Sequence, residues 1–241
     1  MSNEKVLITG HKGTIGKVIF KLLNNLGYKV YGYDVGDKLV NRKYDFIIHC
    51  AAKCIIRDVI KHPQQMMGNI EITYKVMELA RKHNSKVILL SSGRVGHNEK
   101  NPYIVSKRFL EDIAEAYHTC YNIESIIIRP ETVWSFNEPP IRVIPNWIYC
   151  AMNNKDIVIY GNRKKELSPI SVNDFVDVLL QFITNFTHHY KPILVTGEIQ
   201  KAVSIAEEII RQHNSTSKII FKPAEKTQPQ VCKDIEYTIR V

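Results

Sequence analysis

The most constraining stretch of the chain is its first glycine string, Gly10-His11-Lys12-Gly13-Thr14-Ile15-Gly16. An apolar run, 6–9, precedes it. A segment with Ile15, Val18, Ile19, Leu22, Leu23 and Leu26 at helical spacing follows, and Gly27 closes it. Strand, glycine turn and helix in that order permit few architectures. Glycines let the backbone turn tightly and approach a pyrophosphate with no Cβ in the way. The helix that opens next offers free N–H groups and a partial positive charge. Gly10, Gly13, Thr14, Ile15 and Gly16 are therefore candidate dinucleotide-binding residues.

The rest of the chain continues the alternation. Apolar runs at 28–33, 46–48, 86–90 and 123–128 read as strands, and 63–84 and 103–121 read as helices. Runs apolar on both faces, separated by helices, predict an α/β fold with a doubly wound (Rossmann) parallel sheet covered on both sides. After Arg129-Pro130 the prolines at 139, 140 and 145 break the pattern. A strand at 157–160 and an exposed loop at 162–165 come next. A helix at 172–184, a strand at 193–196, a helix at 202–213 and a strand at 218–221 complete the series. The expected organisation is a dinucleotide-binding domain over 1–132 and 170–196. A small, truncated substrate lobe is expected over 133–169 and 197–241.

Composition narrows the function classes. With 241 residues, 44% apolar and 24% charged, the chain suits one full core and a small appended lobe, and disorder is excluded. The net charge is +9, but the 33 Lys and Arg are scattered, with no run longer than Arg163-Lys164-Lys165. That favours anionic ligands; without a binding motif, nucleic acid is not an expected partner. Five Cys with no C-x-x-C suit reduced thiols and a cytoplasmic location. No signal-peptide pattern opens the sequence, and no apolar run approaches the ~18 residues of a membrane helix, so no membrane association is expected. His188-His189 lacks further ligands at metal spacing, and no metal is expected.

Two further sets of residues carry chemistry. Asp34 stands 24 positions after Gly10, where a carboxylate accepts both ribose hydroxyls and favours NAD. Lys12 suits a 2′-phosphate and keeps NADP as the alternative. Tyr103 and Lys107 lie four apart and share one helix face. A phenol with a pKa near 10 exchanges protons poorly at neutral pH. A neighbouring ammonium stabilises the phenolate and makes the pair a candidate general acid/base. Ser92, at the end of the preceding strand, is placed to hold the substrate oxygen. His97 is a candidate second acid/base over the substrate.

Taken together these residues resemble the extended short-chain dehydrogenase/reductase family, the NAD-dependent nucleotide-sugar epimerases, dehydratases and reductases. The likeness runs through Thr9-Gly10-x-x-Gly13-x-x-Gly16, Asp34, His49-Cys50-Ala51-Ala52, Pro63, Asn69, Ser91-Ser92 and Tyr103-x-x-x-Lys107. It continues through Arg129-Pro130, Ile159-Tyr160-Gly161 and Ile170-Ser171-Val172-Asn173-Asp174. The resemblance implies that Tyr103 is the acid/base, that Lys107 binds the nicotinamide ribose and that Ser92 binds the reacting oxygen. It places Ala51, Ala52, Lys53 and Asn69 along the cofactor groove. It implies a nucleotide-sugar substrate and a homodimer.

The chain also departs from the family pattern. Only positions 35–45 separate Asp34 from the next strand, so a helix and strand usual in relatives are missing. Ser92 and Tyr103 are 11 apart, closer than in most sugar-modifying relatives. Gly93 and Arg94 stand where 4,6-dehydratases carry an acid pair, which argues against dehydration by that mechanism. Leu167 replaces an Arg that usually grips the diphosphate, leaving Arg163, Lys164 or Lys165 as substitutes. The expected activity is NAD(P)-dependent reduction or epimerisation of a nucleotide sugar. The alternative is a dinucleotide-binding regulatory or scaffold protein that has lost turnover.

Overall fold

The computed structural model describes residues 3–97, 99–189, 191–223 and 238–240, the last three through their backbone. The element order begins β1 (Lys5–Thr9), α1 (Thr14–Asn25), β2 (Lys29–Tyr33), β3 (Phe46–His49), α2 (Ile56–Lys61), α3 (Gln64–His83) and β4 (Lys86–Leu90). It continues with α4 (Pro102–Tyr121), β5 (Ser125–Pro130), β6 (Thr132–Trp134), α5 (Val143–Met152), β7 (Ile157–Tyr160), β8 (Glu166–Leu167) and β9 (Pro169–Ser171). The described chain closes with α6 (Val172–Thr184), β10 (Ile193–Thr196), β11 (Gln200–Lys201), α7 (Ala202–Gln212), β12 (Ile219–Lys222) and β13 (Thr238–Arg240).

Successive side chains on a strand point to opposite faces, and the central strands use both faces for packing. Val6 and Ile8 of β1 join Ile48, Ile88 and Ile126 against Ile19 and Leu23 of α1 and Phe175 and Leu179 of α6. Leu7, between them, joins Ile47, Val87 and Leu89 against Val76, Met77 and Ala80 of α3 and Leu110 and Ala114 of α4. The result is a sheet of seven parallel strands in the order β2-β1-β3-β4-β5-β10-β13, sandwiched by helices. A separate core unites Ile144 and Trp147 of α5, Ile157 and Ile159 of β7, and Ile205 and Ile209 of α7.

The topology locates a ligand crevice. From β1 the chain moves outward to β2, then crosses back to β3 on the other side of β1. The connections above β1 and β3 diverge there, and such a switch point leaves a cleft at the carboxyl ends of the strands. The 34–45 connection carries no helix or strand, as the short spacing predicts.

Several local readings shift. The strand expected at 123–128 is formed by Ser125–Pro130, because Asn122 ends α4 in the left-handed conformation (φ 55°) and uses the next residues as a connection. Pro145 does not break structure but sits in the first turn of α5, where a proline's missing N–H removes no helical bond. The strand around 218–221 joins β7 rather than the central sheet. The backbone of 238–240 pairs with β10 on the sheet, although 197–241 reads from sequence as part of the lobe. Residues 224–237 and 241 of that stretch lie outside the described residues.

Candidate active site

The glycine turn sits at the switch point. Gly10 has φ 70° and donates its N–H to the Tyr33 carbonyl at 2.7 Å. A Cβ there would lie 2.8 Å from the Ala51 backbone nitrogen, and one on Gly16 would overlap the Gly10 carbonyl. Gly13 stands before the first turn of α1, and no side chain caps that end. Side-chain-free backbone beside uncapped amides fits a pyrophosphate, so the residues present suit a dinucleotide.

One cavity, of about 580 Å³, extends from this turn along Asp34, Ala51, Ala52, Lys53 and Asn69. Asp34 accepts the Lys12 N–H (3.0 Å) and the Val35 N–H (2.8 Å). The Lys12 ammonium is 3.4 Å from Asp37, whose carboxylate also accepts the Asp34 N–H. Asn69 holds Lys53 at both its N–H (2.8 Å) and its carbonyl (3.1 Å). The Ala51 N–H is anchored by Thr9 Oγ1, which also bonds His49 Nδ1 at 2.7 Å; His49 Nε2 in turn reaches Thr73 at 3.0 Å. Burial, then the Lys107 charge, pushes His49 down to about 3. It is neutral at physiological pH and links two hydroxyls as one donor and one acceptor.

A second cavity, of about 440 Å³, shares Gly10, Gly13, Cys50 and Ala52 with the first. It continues past Ser92, Arg94, Tyr103, Lys107 and Glu131. The start of α4 sets its wall. Asn101 Oδ1 accepts the Ile104 N–H at 3.1 Å, and Pro102 opens the helix. One turn on, the Lys107 ammonium lies 5.9 Å from the Tyr103 ring centre and donates to the Leu90 carbonyl at 2.6 Å. Burial raises the Tyr103 phenol above its ordinary value, while the Ser92 hydrogen bond and the charges of Arg94 and Arg142 pull it down. Burial lowers Lys107 to about 8.

The Lys107 shift has a measurable consequence. Between about pH 8 and the ~10.4 of a free lysine, the unfolded chain holds a proton that the folded chain has lost. Stability therefore rises with pH across that window, by up to roughly 3 kcal/mol from this group. Chemical denaturation at pH 7 and pH 9.5 should show the wild type gaining on Lys107→Met. Parallel curves for the two proteins would show that Lys107 is not desolvated.

Beneath the cavity lies a buried ion pair. Arg129 grips Glu111 with Nε (2.9 Å) and Nη2 (2.6 Å), and the Ser91 hydroxyl donates to the same carboxylate. This network ties the end of β4, next to Ser92, to α4 and β5. Arg142 donates to Thr14 Oγ1 at 3.3 Å and to the Val133 carbonyl at 3.2 Å, and pairs with Glu138. Its guanidinium thus stands beside the first turn of α1. His97 lies 3.4 Å from Glu131 and Arg163 stacks on Phe221 at 5.0 Å; neither of these two expected substrate-site residues lines either cavity. Glu131 and Arg142 are cavity residues that no sequence motif singles out, and Arg94, noted only as a departure from the dehydratase pattern, joins them. The only cue along the chain is the position of Glu131 directly after Arg129-Pro130.

A doubly wound parallel sheet with a glycine turn at its switch point defines the class: a dinucleotide-binding α/β fold. The chain belongs to the NAD dependent epimerase/dehydratase family, which matches residues 6–195, in accord with the resemblance carried by its motifs. It is 25% identical to the dTDP-D-glucose 4,6-dehydratase of Dictyostelium discoideum, over 74% of this chain and 56% of that protein. It is 29% identical to uncharacterized protein MJ1055 of Methanocaldococcus jannaschii, over 80% of this chain and 64% of that one. The chain therefore spans less than two thirds of the length of these relatives. Its fold is shared with UDP-glucuronic acid 4-epimerase from Bacillus cereus, solved with UDP-glucuronic acid and NAD. That structure superposes with TM-score 0.82 at 19% identity, covering 93% of this chain and 88% of its own. Among the described residues, no helix is long and apolar enough to cross a membrane.

Proposed function

We propose that the protein uses NAD to reduce or epimerise a nucleotide sugar at a hydroxyl- or ketone-bearing carbon. One observation carries this reading: Ser92, Tyr103 and Lys107 line the same groove as the glycine turn. Gly10, Gly13 and the first turn of α1 hold the pyrophosphate, and Asp34 holds the adenosine ribose. Lys107 binds the nicotinamide ribose. When bound, the nicotinamide supplies the hydride acceptor or donor. Ser92 hydrogen-bonds the substrate oxygen, and Tyr103 gives or takes its proton. Arg94 and Arg142 stabilise the phenolate that forms. The core shared by α5, β7 and α7 builds the substrate lobe, and two copies of the chain associate as a homodimer.

The preference for NAD rests on two carboxylates. Asp34 faces the ribose end of the groove, and Asp37 neutralises the ammonium that would otherwise greet a 2′-phosphate. Calorimetric titration should show NAD binding more tightly than NADP. Asp34→Asn should narrow that preference by ~10-fold, or ~1.4 kcal/mol. Failure to bind either dinucleotide would overturn the proposed function.

A further inference from the structure

Glu131 occupies a place that the hydroxyl chemistry of Tyr103 does not require. Its N–H donates to the Val195 carbonyl at 3.1 Å, which fixes it beyond the end of β5. Its carboxylate lies against Gly93, and a Cβ at residue 93 would overlap Oε1. Glycine at 93 thus leaves the carboxylate its seat. Glu131 lines the cavity together with Ser92 and Tyr103. His97 Nε2 stands 3.4 Å from Glu131 Oε1, and the two side chains are 21% and 20% exposed. His97 Nδ1 is buried and has no partner among the described residues. A carboxylate on the cavity wall, oriented by a neighbouring imidazole, is the arrangement of a general base.

We propose that Glu131, positioned by His97, is a second proton-transfer base that acts on the C–H next to a sugar ketone. This deepens the nucleotide-sugar reading above and rests on it. Ser92 and Tyr103 hydrogen-bond the ketone oxygen. Glu131 removes the proton from the adjacent carbon. The C–H electron pair becomes the C=C bond of an enolate, and the carbonyl π pair moves onto the oxygen held by Ser92 and Tyr103. His97 orients the Glu131 carboxylate, and the proton that Glu131 takes up exchanges with cavity water. Return of a proton to carbon restores the ketone with no net oxidation.

The test uses the whole protein with a nucleoside-diphosphate 4-keto-6-deoxyhexose in D2O. Deuterium in the recovered sugar is read by NMR, and binding of the same compound by calorimetry. The wild type should exchange the proton next to the ketone. Glu131→Gln should lower that exchange by at least ~100-fold, and His97→Asn by ~10-fold, while both variants bind the compound and melt as the wild type does. If the wild type binds the sugar without exchange above the solvent rate, the base is overturned and the nucleotide-sugar reading stands. Exchange by Glu131→Gln at the wild-type rate likewise overturns the base and leaves that reading standing. If the wild type does not bind the sugar at all, the nucleotide-sugar reading fails and the base falls with it.

Discussion

Tyr103→Phe should lower turnover by ~10²–10⁴-fold and leave dinucleotide affinity within a factor of a few. The ring of Tyr103 packs with Val59, Val95 and Ile104, and phenylalanine preserves that packing, so the variant should fold. What it loses is the hydroxyl, the atom that bonds Ser92 and lines the cavity. No other phenol lines this cavity among the described residues, and Cys50, a thiol on the groove wall, is pushed by burial up to about 12. It cannot take over proton transfer near neutral pH. Steady-state rates on a nucleotide keto-sugar, beside an NAD titration, check the expectation. Wild-type turnover in the variant would place the proton path elsewhere. Loss of rate together with loss of NAD binding would point to collapse of the site rather than to the hydroxyl.

Glu111→Ala should cost stability, by up to roughly 3–5 kcal/mol, the usual penalty for removing one half of a buried ion pair. The Glu111 and Arg129 side chains are only 11% and 13% exposed, and removal of the carboxylate leaves a guanidinium held by β5 without its bidentate partner. The Ser91 hydroxyl loses its acceptor at the same time. Replacing Glu111 and Arg129 together by methionine should cost much less, since no buried charge is left behind. Urea unfolding of the three proteins separates these outcomes. An unchanged midpoint for Glu111→Ala would mean that Arg129 is compensated by groups other than Glu111. Because the pair lies under the Ser91-Ser92 corner, Glu111→Ala should also weaken the placement of Ser92 against Tyr103.

Much of this architecture was legible along the chain. The apolar runs of β1, β3, β4 and β10 and the periodic faces of α1, α3, α4 and α6 are properties of neighbouring residues, visible without knowing what they touch. The glycine string, Asp34, Ser92, Tyr103 and Lys107 were legible for the same reason: each is recognised by its distance from a strand end or by helical spacing. The short elements were not. β6 and β9 have three residues each and exist because they pair with one another across the α5–β8 segment. The start of α5, Val143-Ile144-Pro145, reads as a break because proline is judged by its neighbours in sequence and not by its place in a helical turn.

The linear order of residues determined the class of fold, the phosphate turn and the phenol–lysine pair, since strand and helix periodicity and glycine sterics act over a few bonds. Only the folded chain decided that Glu131 fills the space beside Gly93, that Arg142 reaches Thr14, that Asp37 pairs with Lys12 and that Glu111 meets Arg129. Those meetings join residues on different elements. They depend on how helices settle on the two faces of the sheet, a balance of packing and desolvation that no local pattern encodes.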